Sequence, residues 1–221
     1  MNISMIEGTG SDLPVIMILT GREEERENLW PQLERLKDQA AFALVSDIDW
    51  NLDLSPWRAP AAWKHTPDFS GGADAFLQEI LGQGLCLVRE VLQGEPAWYG
   101  IAGYSMAGLF AVYSLYRTDV FTRVVSASGS LWYDGFREYA VQHAFYGKPE
   151  RIYLSLGDRE RRTRNIRVAK VEDDTRALSD CYKEREIETT FELNPGNHFQ
   201  DPEGRLLKGI QWILKDFSGE S

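Results

Sequence analysis

Short, almost uninterrupted apolar runs alternate with longer amphipathic stretches along this chain, and that rhythm limits the fold more than any other feature. The runs are Leu13–Thr20, Phe42–Ile48, Trp98–Gly103, Arg123–Ser128, Arg151–Leu156 and Thr189–Leu193. Strands with little polar interruption suit a parallel sheet covered on both faces. Helical segments are expected between them at Pro31–Asp38, Ala73–Leu92, Met106–Arg117, Gly135–Phe145, Asn165–Arg185 and Glu203–Phe217. Pro31 suits a first helical turn, which makes Arg22–Glu27 an approach segment. Six βα units predict an open, doubly wound, mostly parallel α/β sheet of about six strands with helices on both faces. The 221 residues fit a single domain, 1–221. Such sheets hold ligands outside the carboxyl ends of their strands. One connection, 49–72, is long and carries Trp50, Trp57 and Trp63 with three prolines. Its length and aromatic content mark it as a candidate active-site loop, and nothing else is long enough for a large cap.

Charge and cysteine content narrow the partners. Lys and Arg number 24 against 34 Asp and Glu, a formal charge of −10. Binding to a phosphate backbone needs a cationic face, so a nucleic-acid partner is not expected. Cys86 and Cys181 show no CxxC spacing, and neither a disulfide framework nor a cysteine metal site is indicated. The first twenty residues lack a secretory pattern, and no apolar run approaches the roughly 18 residues of a membrane span. The expectation is a cytoplasmic protein with a small-molecule partner; oligomeric state is left open.

Gly103-Tyr104-Ser105-Met106-Ala107-Gly108 follows the third run directly and opens an uncharged helical stretch. It resembles the nucleophile elbow G-x-S-x-G of α/β hydrolases, with Ala107 at the second glycine. Small residues two positions either side of the serine are needed because the chain bends sharply there. The plainer alternative for Ser105 is a helix cap. A serine hydroxyl needs a base to take its proton. Of three histidines, His143 lies within a helical run and His65 in the long loop. His198 sits just past the last strand, where the order Ser…acid…His places the base. The orienting acid should leave the strand between them, in Gly157-Asp158-Arg159-Glu160. Glu160 is preferred for its offset from the turn glycine, with Asp158 as the alternative acid; Asp158 could equally satisfy turn amides. By analogy with the fold, the oxyanion would meet backbone amides of Met106 and of Gly21 or Arg22 in the first strand's exit.

Laid on this ladder, the segments GYSMAGLFAVYS (103–114), SGSLWY (128–133), LSLGDRE (154–160), NPGNHF (194–199) and DLSPWRAPA (53–61) resemble an esterase family of the α/β-hydrolase superfamily. Its relatives include esterase D (S-formylglutathione hydrolase), the ferric-enterobactin esterases and the mycolyltransferases. The resemblance spans Val15 to Leu214 and implies a minimal α/β-hydrolase fold. It also implies a Ser105–His198–Glu160 triad, no cofactor and no metal. It implies a serine esterase working through an acyl-enzyme; acyl transfer by the same triad and a non-catalytic binding module are the alternatives.

Tyr104, Trp57, Trp132 and Tyr133 are the candidate substrate contacts, since aromatic side chains at this edge suit an aromatic or apolar acyl group. The same rings could instead pack the loop onto the body. A basic run, Arg159 to Lys170, follows the acid loop and reads either as an anion contact or as a solvated face.

Overall fold

A computed structural model describes residues 1–21, 23–92 and 94–215. Seven strands form the main sheet: β1 (Asn2–Ile6), β2 (Val15–Leu19), β3 (Ala41–Ser46), β6 (Tyr99–Tyr104), β7 (Phe121–Ala127), β8 (Arg151–Gly157) and β9 (Glu188–Asn194). Two short strands in the long loop, β4 (Arg58–Ala59) and β5 (Phe69–Ser70), make a separate antiparallel pair. The helices are α1 (Glu23–Leu33), α2 (Ala73–Glu79), α3 (Leu85–Val91), α4 (Met106–Ser114), α5 (Phe136–Gln142), α6 (Val171–Glu184) and α7 (Pro202–Leu214).

The main sheet runs β1-β3-β2-β6-β7-β8-β9, parallel except for β1, which pairs antiparallel with β3. All six expected strands are present. The seventh, β1, gives no apolar run because it is an edge strand: only Ile6 of its five residues is fully buried. Elsewhere alternation sorts side chains to two cores. Val15, Met17 and Leu19 of β2 join the core under α2, α3, α4 and α6. Ile16 and Ile18 join the core under α1 and α7. Every residue of α4 is buried, which is why this stretch carries no charge.

The first helix departs from expectation. Pro31 lies in the last turn of α1, and residues 23–27 form its beginning. Glu23, Glu24 and Glu25 fill the first turn, where carboxylates complement the helix dipole. Pro31 removes one backbone donor, but it lies on the exposed face, where water can take the freed carbonyl.

The order reverses between β2 and β6. From β2 the chain crosses by α1 to β3, then returns past β2 to β6 and continues the other way. Connections leaving β2 and β6 therefore diverge and open a crevice at their carboxyl ends. Register aligns these exits, with Leu19 beside Gly103, Tyr104 beside Ala127 and Gly157 beside Asn194. The segments after Leu19, Tyr104, Ala127, Gly157 and Asn194 consequently emerge along one rim.

Candidate active site

Ser105 is the single residue between β6 and α4 and adopts φ 59°, ψ −121°. That region costs a non-glycine residue about 1–3 kcal/mol, and the surroundings over-determine it. The Ser105 amide donates to Ala127 O at 3.1 Å, and its carbonyl accepts from the amides of Leu109 and Ser130 at 3.1 and 2.9 Å. A side chain at Gly103 would put its Cβ 2.4 Å from the Ala107 backbone. The bend thus demands glycine at 103, and Ala107 opposite it is fully buried.

Ser105, His198 and Glu160 meet in one hydrogen-bonded line. Ser105 Oγ lies 3.1 Å from His198 Nε2, and His198 Nδ1 lies 2.8 Å from Glu160 Oε2. A carboxylate accepts only, so Nδ1 carries the proton and Nε2 is left to accept from the serine hydroxyl. Ser130 Oγ stands 3.3 Å from Ser105 Oγ on the other flank. Burial by itself pushes the Glu160 carboxyl up, but hydrogen bonds from His198 and the Gly157 amide outweigh it. The group lies below its ordinary value.

Asp158 does not reach the imidazole. Its Oδ1 accepts from the Gly196 amide at 2.8 Å, and its own amide donates to Asn194 O at 2.8 Å. It therefore ties the exit of β8 to the turn that carries His198. Tyr104 braces that turn from below, donating to His198 O at 2.7 Å. Burial pushes its hydroxyl up to about 12, so it remains a donor.

Sequence reasoning missed Arg205. From the first turn of α7 its Nη1 donates to Glu160 Oε1 at 3.0 Å and to Ser128 Oγ at 2.9 Å. Nη2 donates to the carbonyls of Pro195 and Asn197, each at 3.0 Å. One guanidinium with a side chain only 2% exposed thus binds the acid, the β7 exit and the histidine turn. The signal was present: Arg205 interrupts the apolar stripe of Leu206, Gly209, Ile210 and Ile213, the buried face of that helix.

Two hollows open from Ser105. A cleft of about 890 Å³ is lined by Gly21, Glu24, Glu25, Ile48, Tyr104, His198, Phe199, Pro202 and Glu203. A pocket of about 320 Å³ is lined by Asn51, Thr66, Pro67, Phe69, Met106, Ser130 and Trp132. Trp50, Trp63 and Ser105 border both. Gly21 is glycine because Trp50 covers it: an added Cβ would lie 2.7 Å from the ring. Its amide donates to Glu25 Oε2 at 2.9 Å. Arg22 lies outside the described residues.

Of the expected substrate contacts, Tyr104 and Trp132 border these hollows, whereas Trp57 and Tyr133 do not. Trp57 donates from Nε1 to Asp134 O and packs among Tyr113, Tyr133, Phe136 and Tyr139. Tyr133 is only 2% exposed and donates to Trp57 O. Both anchor the long loop to the body. The basic run borders neither hollow: Arg159 and Arg161 pair with Asp158, Glu172 and Asp173. His143 stacks on Tyr139, and His65 is exposed in the loop. Among the described residues no group of His, Cys, Asp and Glu could hold a metal ion, and no helix is long and apolar enough to cross a membrane.

A mostly parallel sheet in this order, with a serine on a strained strand-to-helix bend, defines the α/β-hydrolase fold. Known structures share it. An IroE-like serine hydrolase from Shewanella oneidensis superposes with a TM-score of 0.80 at 19% identity, covering 99% of this chain and 77% of that one. The enterobactin esterase FES from Shigella flexneri, solved in the presence of enterobactin, gives 0.73 at 19% identity, covering 96% and 54%. The siderophore hydrolase EstA from Aspergillus nidulans gives 0.65 at 19% identity, covering 93% and 84%. In sequence, the chain is 25% identical over 169 residues to the uncharacterized protein YbbA of Bacillus subtilis (strain 168), spanning 73% of this chain and 68% of that protein. No family model matches.

Proposed function

We propose that this protein is a serine hydrolase that cleaves a small carboxylic ester through an acyl-enzyme. The observation that carries the reading is the hydrogen-bonded line Ser105–His198–Glu160 opening into two hollows at the carboxyl rim of the sheet. The structural likeness to named serine hydrolases and siderophore esterases supports it.

In the forward step the serine hydroxyl gives its proton to His198 Nε2 while Oγ bonds to the acyl carbon. The carbonyl π electrons move onto oxygen. That oxyanion faces the Met106 amide, which as the first residue of α4 has no acceptor within the helix. The expected second donor is an amide of Gly21 or Arg22; the Gly21 amide now donates to Glu25 Oε2 at 2.9 Å. Collapse breaks the bond to the alcohol oxygen, which takes the proton from His198. Water then repeats the sequence on the acyl-enzyme, releasing the acid and restoring the serine. Glu160 holds the imidazole in its Nδ1–H tautomer and stabilises its charged form, and Arg205 fixes Glu160. The aromatic walls suit an apolar or aromatic acyl group.

A fluorophosphonate probe tests the nucleophile. Covalent labelling of the wild type at Ser105, absent in a folded Ser105→Ala, is expected. A folded wild type that never labels overturns the reading and leaves a binding module. Product analysis with added alcohols separates hydrolysis from acyl transfer.

A further inference from the structure

The two hollows beside Ser105 are lined differently: His198 borders the wide cleft, whereas Met106 and Ser130 border the smaller pocket. On the reading that Ser105 is the nucleophile, this asymmetry assigns the two halves of an ester. The base must return its proton to the departing alkoxide, so the alcohol lies on the His198 side. With the carbonyl oxygen turned to the Met106 amide, the acyl group continues into the smaller pocket. A cavity of about 150 Å³ accommodates benzene, and about 320 Å³ accepts an aryl acyl group with room for a substituent.

The outer wall of that pocket does not belong to the sheet. Trp63, Thr66, Pro67 and Phe69 come from the 49–72 segment, and Trp63 meets Trp132 edge to face at 6.0 Å. Besides Trp57 and Tyr133, a guanidinium holds this segment against the body. Arg167 Nη1 donates to Ala61 O at 2.8 Å and to Pro60 O at 3.0 Å, and Nη2 also reaches Pro60 O at 3.0 Å. Its Nε donates to Asp134 Oδ1 at 3.0 Å, and Nη2 lies 2.8 Å from Asp134 Oδ2. The guanidinium lies 5.8 Å from the Trp132 ring. Beside it, Asn165 Nδ2 donates to Ala62 O while its Oδ1 accepts from the Arg167 amide. Three segments remote in sequence meet at this fork, and it borders neither hollow.

We propose that Arg167 is a positioning residue that shapes the acyl pocket and sets a preference for aryl over short acyl groups. A lysine cannot replace it, because an ammonium lacks the planar fork that holds a carboxylate and two carbonyls together.

The test uses two esters of one alcohol, 4-nitrophenyl benzoate and 4-nitrophenyl acetate. Wild type is expected to favour the benzoate in kcat/KM. Arg167→Ala and Arg167→Lys should lower kcat/KM for the benzoate on the order of tenfold, mainly through KM. Acetate turnover and the rate of fluorophosphonate labelling should be unchanged. Equal losses on both esters, an unaltered benzoate preference, or no benzoate preference in wild type overturns the proposal. If the Arg167 variants do not fold, Asp134→Asn weakens one arm of the fork and should give a smaller shift in the same direction; no shift is equally fatal. A wild type that does not label sinks the hydrolase reading itself, which keeps the two failures apart.

Discussion

Replacing Arg205 by methionine tests how the hydrogen-bonded line Ser105–His198–Glu160 is held. The new side chain fills much of the same space but leaves Glu160, 4% exposed, as a buried carboxylate without its cation. It also withdraws donors from Ser128 Oγ and the carbonyls of Pro195 and Asn197. Removing one member of a buried ion pair costs about 3–5 kcal/mol. The expected destabilisation is therefore about 4 kcal/mol, the middle of that range. For a chain of this size each kcal/mol moves Tm by about 2–4 °C, so the midpoint should fall by roughly 8–16 °C. Urea unfolding followed by tryptophan fluorescence measures it, with seven tryptophans as reporters. The sign of the pH dependence is also set. Burial pushes Glu160 up, but its hydrogen bonds bring it below its ordinary value. A carboxyl depressed in the native state contributes stability that is complete above its unfolded value of about 4.3 and is lost as pH falls through the native one. Losing the cation 3.0 Å away leaves the variant's carboxylate easier to protonate than the wild type's, so wild type should lead most at neutral pH and the lead should shrink on acidification. Arg205→Met combined with Glu160→Gln should recover part of the loss, because neither charge of this pair is then left buried and unpaired. A cost below about 1 kcal/mol, the range of an exposed pair, or a gap that widens in acid would refute the reasoning.

Two further outcomes follow from the rim. Glu160→Gln should lower kcat on the order of 10³–10⁴-fold by disturbing the imidazole tautomer, whereas Asp158→Asn keeps an acceptor for the Gly196 amide and should leave kcat close to wild type; steady-state kinetics of the pair decides. Gly103→Ala should abolish both labelling and cooperative unfolding, since its Cβ would lie 2.4 Å from the Ala107 backbone; Ala107→Gly should keep labelling at a stability cost of about 1 kcal/mol, checked by the same probe and by urea midpoints.

The central strands are legible because burial on two faces forces apolar residues at consecutive positions, and β2 and β3 are buried almost throughout. The edge strand β1 escapes that logic, since one neighbour and partial cover permit Asn2 and Ser4. Pro31 misleads for a different reason. Proline is compatible with the start of a helix or with an exposed last turn, and only packing of Leu29 and Leu33 decides. At the rim, Ser105, Glu160 and His198 stand out because chain order and strand exits bring them together. Which aromatic rings face the cleft is another matter. That depends on the path of the 49–72 segment, whose two-residue strands are too short to print a periodicity. Trp57 accordingly turns inward while Trp50 and Trp63 border the hollows.

Arg205 also bears on how the molecule is made. Protein synthesis delivers the hydroxyl first, then the carboxylate, then the imidazole, and the guanidinium only 45 positions after Glu160. Until α7 docks on β7 and β8, the acid lacks its counter-ion and the 195–197 turn lacks its anchor. A fragment ending before residue 205 thus lacks the one guanidinium that ties Glu160 to Ser128 and to the turn carrying His198.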